Sequence, residues 1–219
     1  ASGGGYTSDA ISAIDYAVSM GATLTNNSWG GFGYSQALYD AIGRARTAGQ
    51  LFVAAAGNYG MDNDGSWPTY PASYDHGNII AVAATDDTDT LAYFSNYGAT
   101  SVDLAAPGVS ILSCVPGGSY EAWDGTSMAT PHVAGAAALL YSRRPNASAD
   151  DIKAAIMDGA DVVSGLDGTC VSGARLNVNA ALSLGGARAL VGCFRADDRF
   201  DDNRYVLDLT ESEDYYTLR

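Results

Sequence analysis

The sequence predicts an α/β fold, built on a mostly parallel sheet that helices cover on both faces. The strongest observation is a pair of continuous apolar runs over 51–56 and 79–84, which are typical of parallel strands buried on both sides. A second observation is the spacing of apolar residues around these runs, which predicts helices. Helices and strands that alternate in this way are typical of parallel α/β sheets.

Serines at favourable capping positions predict where several helices begin. We expect Ser8 to cap the first helix, Ser35 the second, and Ser148 a helix over 149–158. A short closing helix is expected over 179–184. Shorter apolar segments predict the remaining strands, at 22–28, 102–105 and 109–113.

The chain is long enough for one domain with a sizeable core. It has 219 residues, of which 47% are hydrophobic, and this indicates a globular rather than a disordered chain. The composition changes after Gly185-Gly186, so we expect one domain over 1–186. Residues 187–219 are expected to be a linker or tail, or the start of an accessory domain.

The charge balance excludes several classes of partner. The formal net charge is −14, which argues against binding to nucleic acid or to an anionic membrane surface. No apolar run approaches 18 residues, so no membrane span is expected. An acidic composition fits a secreted protein, although solubility alone also explains it.

Three cysteines, Cys114, Cys170 and Cys193, form neither a CxxC pair nor a zinc-binding spacing. Because their number is odd, at most one internal disulfide is possible. The sequence does not decide which two would pair, and free buried thiols are an equal alternative.

The stretch over 125–135 begins as a turn and continues as an apolar helix. Pro131 is expected near the start of that helix, where its missing N–H would lack a partner anyway. Ser127 is then at or just before the helix N-terminus, where the dipole favours the negative charge that a serine attack on a carbonyl creates. Gly125 allows close approach of a substrate. The plainer interpretation is an alanine-rich core helix with a Ser/Thr cap.

The string Gly-Thr-Ser-Met-Ala-Thr-Pro-His-Val-Ala-Gly over 125–135 resembles the nucleophile motif of the subtilisin-like serine peptidases, the subtilases of peptidase family S8. The resemblance covers about residues 3–185, which is the C-terminal two thirds of such a catalytic domain. It implies a three-layer α/β sandwich, truncated at its N-terminus, with Ser127 as the nucleophile.

A second motif ends the first buried strand with Ala-Gly-Asn. Asn58 would lie at the carboxyl edge of the sheet, where α/β sites usually occur. The resemblance implies that the Asn58 amide and the Ser127 backbone N–H donate to the tetrahedral oxyanion. An isolated Gly-Asn more often marks only a turn.

A third motif, Asn-Asn-Ser-Trp-Gly-Gly over 26–31, resembles the family segment that pairs with an extended peptide substrate. Small residues at the walls of the first specificity pocket predict that it accepts a bulky apolar side chain. The alternative is a strand and turn with a buried tryptophan. The resemblance implies one wall made of Ser28, Trp29 and Gly30, and another made of Ala55, Ala56 and Gly57.

A cation site is a further implication of the resemblance. In some relatives, backbone oxygens of the Tyr-Pro-Ala segment and an aspartate hold a cation, which here points to Ala72, Tyr74 and Asp86. Acidic surface loops usually bind nothing, and no cofactor is required for the expected reaction. Oxygen ligands for a structural Ca²⁺ could come from Asp62, Asp64, Asp75 and Asp86.

A serine nucleophile of this type needs a histidine base and an orienting carboxylate. His132 lies five residues after Ser127 on the same helix and belongs to the motif's scaffold, and His76 lies in a structural loop. Family members carry the Asp and His motifs before the serine, and neither motif occurs before Asn26. We therefore expect both residues upstream of this sequence, which is interpreted as a fragment, inactive by itself.

The sequence thus favours a secreted, monomeric serine endopeptidase that binds protein or peptide substrates as an extended strand. The alternative is an inactive pseudopeptidase that serves as a peptide-binding or regulatory module. A purely structural protein would give no reason for the three motifs to occur together.

Overall fold

The computed structural model describes residues 4–184, 211–212 and 215–216. The helices are α1 (Thr7–Ser19), α2 (Gln36–Thr47), α3 (Thr126–Arg143) and α4 (Ala149–Asp158), and residues 178–184 form α5. The strands are β1 (Leu24–Asn27), β2 (Gly31–Phe32), β3 (Leu51–Ala55), β4 (Thr69–Tyr70), β5 (Ile79–Thr85), β6 (Leu104–Pro107), β7 (Ile111–Val115), β8 (Ser119–Trp123), β9 (Asp161–Val162) and β10 (Ala174–Arg175).

The chain divides into two compact units, Ala1–Gly186 and Ala187–Arg219, and the division falls where the composition changes. Within the second unit, β11 (Glu211–Ser212) pairs antiparallel with β12 (Tyr215–Tyr216). The prediction of a linker, tail or accessory domain concerns residues that otherwise lie outside the described part.

Six strands form the central sheet in the order β1-β3-β5-β6-β10-β9. All neighbours are parallel except β10 and β9, which confirms the predicted α/β fold with a mostly parallel sheet. Asn27 of β1 lies opposite Ala54 of β3. Because the two strands end side by side, the segments that follow them leave the same edge of the sheet.

The core lies on both faces of this sheet, as β3 shows. Leu51 and Val53 are buried among residues of α3 and α4, whereas Phe52 and Ala54 are buried among residues of α1 and α2. Successive side chains of a strand point to opposite faces, so a strand covered by helices on both faces is apolar throughout. This explains why the apolar run predicted β3 correctly.

The capping predictions hold for two of the three helices. The Ser35 hydroxyl accepts a hydrogen bond from Leu38 N at 3.3 Å, and Ser148 forms a capping box with Asp151. The prediction for Ser8 is wrong, because α1 begins at Thr7 and its N-cap is Tyr6, which makes no side-chain bond. The Tyr6 carbonyl instead accepts from two backbone amides of the first turn, so the helix starts without a side-chain cap.

Pro131 lies further inside its helix than predicted. It is in the second turn of α3, which begins at Thr126, and not near the helix start. A helical N–H at this position would bond to the carbonyl four residues earlier, which belongs to Ser127. Proline removes that donor, so the Ser127 carbonyl needs another partner.

Strand boundaries follow pairing more closely than composition. The strand expected over 102–105 is Leu104–Pro107, since its register against β5 runs from Leu104 to Pro107. The segment expected over 109–113 is Ile111–Val115, which forms a hairpin with the unpredicted β8. The short strands β2 and β4, which pair across 37 or more residues, were also not predicted.

Cys114 is exposed and Cys170 is buried, and both are free thiols. A disulfide between these two is therefore absent, while Cys193 lies outside the described residues. None of the helices in the described ranges is long and apolar enough to cross a membrane.

Candidate active site

The three sequence motifs meet at the carboxyl edge of the central sheet. The segments after β1 and β3 leave this edge side by side, and residues in the first turn of α3 bond to both. Ser127 Oγ is 3.3 Å from the Ser28 carbonyl oxygen, and the Gly57 N–H donates to Thr126 Oγ1 at 3.2 Å. The structure therefore brings the predicted nucleophile, oxyanion and substrate-binding segments together.

Ser28 donates the hydrogen bond to the Ser127 carbonyl that Pro131, which has no N–H, cannot make. The Ser28 hydroxyl donates to the Ser127 carbonyl oxygen at 2.8 Å. In the same turn the Thr130 hydroxyl donates to the Thr126 carbonyl at 2.7 Å. These side chains satisfy the carbonyls around the nucleophile, so the first turn of α3 is held from two sides.

Asn58 is oriented by Thr126, a residue that sequence reasoning missed. Asn58 Oδ1 accepts from both the backbone N–H and the hydroxyl of Thr126, each at 2.9 Å. A backbone N–H can only donate, which assigns the oxygen of the amide to this side. Asn58 Nδ2 makes no hydrogen bond within the described part of the chain, and it is available to a substrate oxygen. The signal for Thr126 was its position inside the nucleophile motif.

Gly125 keeps the space in front of this donor open. A Cβ atom at Gly125 would lie 3.4 Å from Asn58 Nδ2. The first N–H groups of a helix lack helical acceptors, and the dipole there favours negative charge. The Ser127 N–H and Asn58 Nδ2 are thus two donors that can serve one developing oxyanion near Ser127 Oγ.

The two predicted pocket walls flank the side chain of Thr69. A Cβ at Gly30 would lie 3.2 Å from Thr69 Cγ2, and one at Gly57 would lie 3.1 Å from Thr69 Oγ1. Ala55 and Ala56 are buried, whereas Trp29 is 37% exposed, so the alternative of a buried tryptophan is wrong. Thr69 belongs to the unpredicted strand β4, and its place between the walls follows from pairing with β2.

Two clefts share Ser28. One cleft, of about 640 Å³, runs beside Trp29 and Gly30 towards Tyr6, the N-cap residue of α1. The other, of about 750 Å³, lies between the start of α3 and the β7–β8 hairpin and is lined by Ser127 and Trp123. Open space thus extends from Ser28 into two clefts, one of which also reaches Ser127.

Neither histidine serves Ser127 as a base. His132 Nδ1 bonds to the Met128 carbonyl of its own helix at 2.9 Å. His76 Nε2 bonds to the Tyr39 carbonyl at 2.9 Å, and the His76 and Tyr39 rings stack with their centroids 4.0 Å apart. Over the described ranges, the one hydrogen bond of Ser127 Oγ goes to the Ser28 carbonyl.

Two of the three predicted cation ligands, Ala72 and Tyr74, line one cleft. The cleft is also lined by Lys153, whose ammonium lies 2.7 Å from Asp103 Oδ1 and 2.5 Å from the Ile79 carbonyl oxygen. Asp86 is not among the residues that line this cleft. In the described ranges, no three His, Cys, Asp or Glu side chains cluster as metal ligands.

Three of the predicted oxygen ligands, Asp62, Asp64 and Asp86, accept hydrogen bonds from nearby groups of the protein. Asp86 Oδ1 accepts from the hydroxyl and N–H of Thr88 and from Thr90 N, and these bonds lower the pKa of Asp86. Asp62 accepts from Asp64 N, Asp64 accepts from the N–H and hydroxyl of Thr100, and Asp75 raises the pKa of Tyr39. The Ca²⁺ site therefore stays a prediction.

A family model described as the Subtilase family matches residues 1–187. Thermophilic serine proteinase from Bacillus sp. strain AK1 is 47% identical over 80% of this chain and 41% of its own length. Thermitase from Thermoactinomyces vulgaris is 44% identical over 83% of this chain and 61% of its own. The chain thus spans about half the length of these relatives.

Solved structures give the same result. The patellamide maturation protease PatA matches with a TM-score of 0.73 and 32% identity, over 83% of this chain and 70% of that one. A protease from Pseudoalteromonas arctica PAMC 21717 matches with a TM-score of 0.74 and 32% identity, over 83% and 60%. The resemblance seen in the motifs is confirmed, and the chain belongs to the subtilase family of serine peptidases.

Proposed function

We propose that this chain carries the nucleophile and the oxyanion donors of a serine endopeptidase that hydrolyses peptide bonds through an acyl-enzyme. The observation that supports this most strongly is the pair formed by Ser127 and Asn58. Ser127 lies in the first turn of α3, beside the side-chain amide of Asn58, whose oxygen is held by Thr126 and whose Nδ2 is available. A core helix with an ordinary Ser/Thr cap would not require an oriented amide beside the serine.

In the proposed reaction, Ser127 Oγ attacks the peptide carbonyl carbon while a histidine base takes its proton. The carbonyl oxygen becomes an oxyanion and accepts from Asn58 Nδ2 and the Ser127 N–H. The C–N bond then breaks, the protonated base gives its proton to the leaving amine, and water releases the acyl group. The histidine and its aspartate are proposed to come from residues outside 1–219.

The proposed substrate is a protein or peptide bound as an extended strand along Ser28–Gly31, with a bulky apolar side chain between the two walls. The clefts on both sides of Ser28 support an extended substrate. No cofactor takes part in this reaction. We also propose that the protein acts outside the cell as a monomer, in keeping with its formal net charge of −14.

A peptidase assay on the full-length natural protein tests the proposal. We expect Ser127→Ala to lower kcat for a peptide p-nitroanilide by about 10⁶-fold, which is the size of the loss when the nucleophile of subtilisin, a relative, is removed. Ser142→Ala, on the exposed side of the same helix, is the control and should keep full activity.

The second candidate, a peptide-binding pseudopeptidase, is favoured by one observation. In the described part of the chain, no histidine or carboxylate lies at Ser127 Oγ. A full-length protein that binds an apolar peptide with equal affinity in the wild type and in Ser127→Ala, and hydrolyses none, would establish this candidate and contradict the first.

A further inference from the structure

A buried amide, Asn96, lies directly behind the turn that carries Asn58. Its side chain is fully buried and forms four hydrogen bonds. Oδ1 accepts from Tyr59 N at 2.9 Å and from Met61 N at 3.2 Å. Nδ2 donates to Asn63 Oδ1 at 3.0 Å and to Thr69 Oγ1 at 2.9 Å. The hydrogen-bonding capacity of the amide is thereby used completely.

Asn96 holds the chain on both sides of Asn58. Its backbone N–H donates to the Gly57 carbonyl at 2.9 Å, and its side chain accepts from Tyr59 N. Gly57 has a φ of +117°, and a Cβ there would lie 2.5 Å from Asn96 Nδ2. Only glycine fits this approach, so the conformation of the turn depends on the position of the Asn96 amide.

A second buried amide, Asn63, extends the support by one residue. Asn63 Nδ2 donates to the Ala56 carbonyl at 2.9 Å, and Asn63 Oδ1 accepts from Thr69 N at 3.3 Å as well as from Asn96. The residues at 56, 57 and 59 are therefore tied to two buried amides. Asn58, between them, turns its own amide to Thr126 and the open site instead.

We propose that Asn96 is a positioning residue that fixes the oxyanion donor Asn58 through the backbone of its neighbours. This rests on the proposed function of Asn58. An oxyanion donor acts only when it lies about 2.7–3.1 Å from the developing charge, so a turn that moves by a fraction of an ångström loses transition-state stabilisation. Because the donor acts mainly in the transition state, its displacement should lower kcat more than it changes KM.

The test is a double-mutant cycle in the full-length natural protein, with kcat and KM measured on a peptide p-nitroanilide. We expect Asn96→Ser to lower kcat by about 10-fold to 10²-fold, with KM changed by less than about 2-fold. Asn58→Ala should lower kcat by about 10²–10³-fold, as a donor of this kind does in subtilisin, a relative. In the Asn58→Ala background, Asn96→Ser should then cost less than about 2-fold in kcat, because the donor that Asn96 positions is already gone.

The matched control is Asn78→Ser. Asn78 is also a buried asparagine, and its Nδ2 donates to the Gln50 carbonyl at 2.9 Å, but it precedes β5 at the opposite edge of the sheet. Asn78→Ser should lower the melting temperature by an amount similar to that of Asn96→Ser, and it should leave kcat unchanged. A similar fall in kcat for Asn78→Ser would overturn the inference.

A second variant decides the question if Asn96→Ser does not fold. Thr69→Val keeps the side-chain shape and removes only the oxygen that accepts from Asn96 Nδ2. It should lower kcat about 2-fold to 5-fold with Asn58 present and not at all in Asn58→Ala. Equal losses in both backgrounds, for either variant, would overturn the inference.

The failure of the proposed function is distinguishable from the failure of this inference. A parent protein without Ser127-dependent hydrolysis would overturn both. An active parent whose kcat is insensitive to Asn96→Ser would overturn the role of Asn96 alone.

Discussion

At the scale of single residues, the environment of Ser127 is explained by Pro131. The proline sits where a helical N–H would reach the Ser127 carbonyl, so that carbonyl has no partner in its own helix. The hydroxyl of Ser28, 99 residues earlier in the chain, donates to it at 2.8 Å. A proline at position 131 therefore leaves the Ser127 carbonyl to be satisfied by Ser28, and this contact joins two distant segments of the site.

We expect Ser28→Ala to lower the free energy of unfolding by about 1 kcal/mol or somewhat more, because it leaves a partly buried carbonyl without a donor. The measurement is urea unfolding in the Ser127→Ala background, which prevents self-digestion and keeps the carbonyl. Ser12→Ala is the control, since its hydroxyl bonds to the Ser8 carbonyl within exposed α1 and should matter little. Equal losses for the two variants would contradict this explanation.

Local signals explain which site residues the sequence could predict. Ser127 and Asn58 stand in recognisable strings, and the structure brings them together. The sequence did not predict the supporting roles of Thr126, Thr69 and Asn96. Each of these residues acts through a contact with a segment 27 to 68 residues away. A single sequence carries no direct signal for such pairings.

At the scale of elements, the same distinction separates correct from wrong predictions. The capping serines Ser35 and Ser148 act within one turn of helix and were predicted correctly. The sequence did not predict the ends of β6 or the existence of β2, because both depend on pairing with a distant strand. Apolar content marks what is buried, whereas pairing decides where a strand begins and ends.

The loop between β3 and β4 is anchored by Asp64. Its carboxylate accepts from the N–H and the hydroxyl of Thr100, each at 2.8 Å. Burial raises the pKa of Asp64, but hydrogen bonds from Ser101 and Thr100 outweigh that effect and the pKa is lowered. The same loop carries Asn63, so the anchor also bears on the support of the Asn58 turn.

The lowered pKa of Asp64 predicts a pH-dependent contribution to stability. A carboxyl whose pKa is lower in the folded state stabilises the fold above its unfolded pKa of about 3.9, and the contribution is lost as the pH falls through the folded value. Asp64→Asn should therefore lower the free energy of unfolding at pH 6 and change it less at pH 2. Urea unfolding at both pH values measures this, and an equal effect at the two would contradict it.

At the scale of the whole molecule, a twisted parallel sheet brings three separate segments to one edge. β1 and β3 end side by side there, and the first turn of α3 bonds to the segments that follow both strands. Polar groups from the ends of strands and the dipole of a helix then act on the same point. Every step of the proposed mechanism depends on Ser127 being the reactive group at that point.

The most direct test of this claim is to map where a fluorophosphonate reacts with the full-length natural protein. After incubation and digestion, mass spectrometry should find the phosphonyl group on Ser127, and the Ser127→Ala variant should carry none. The reagent reacts with activated serines, so an adduct at Ser127 requires a base and an oxyanion site in place. A protein that binds peptide but shows no adduct at Ser127 would contradict the peptidase and establish a binding module.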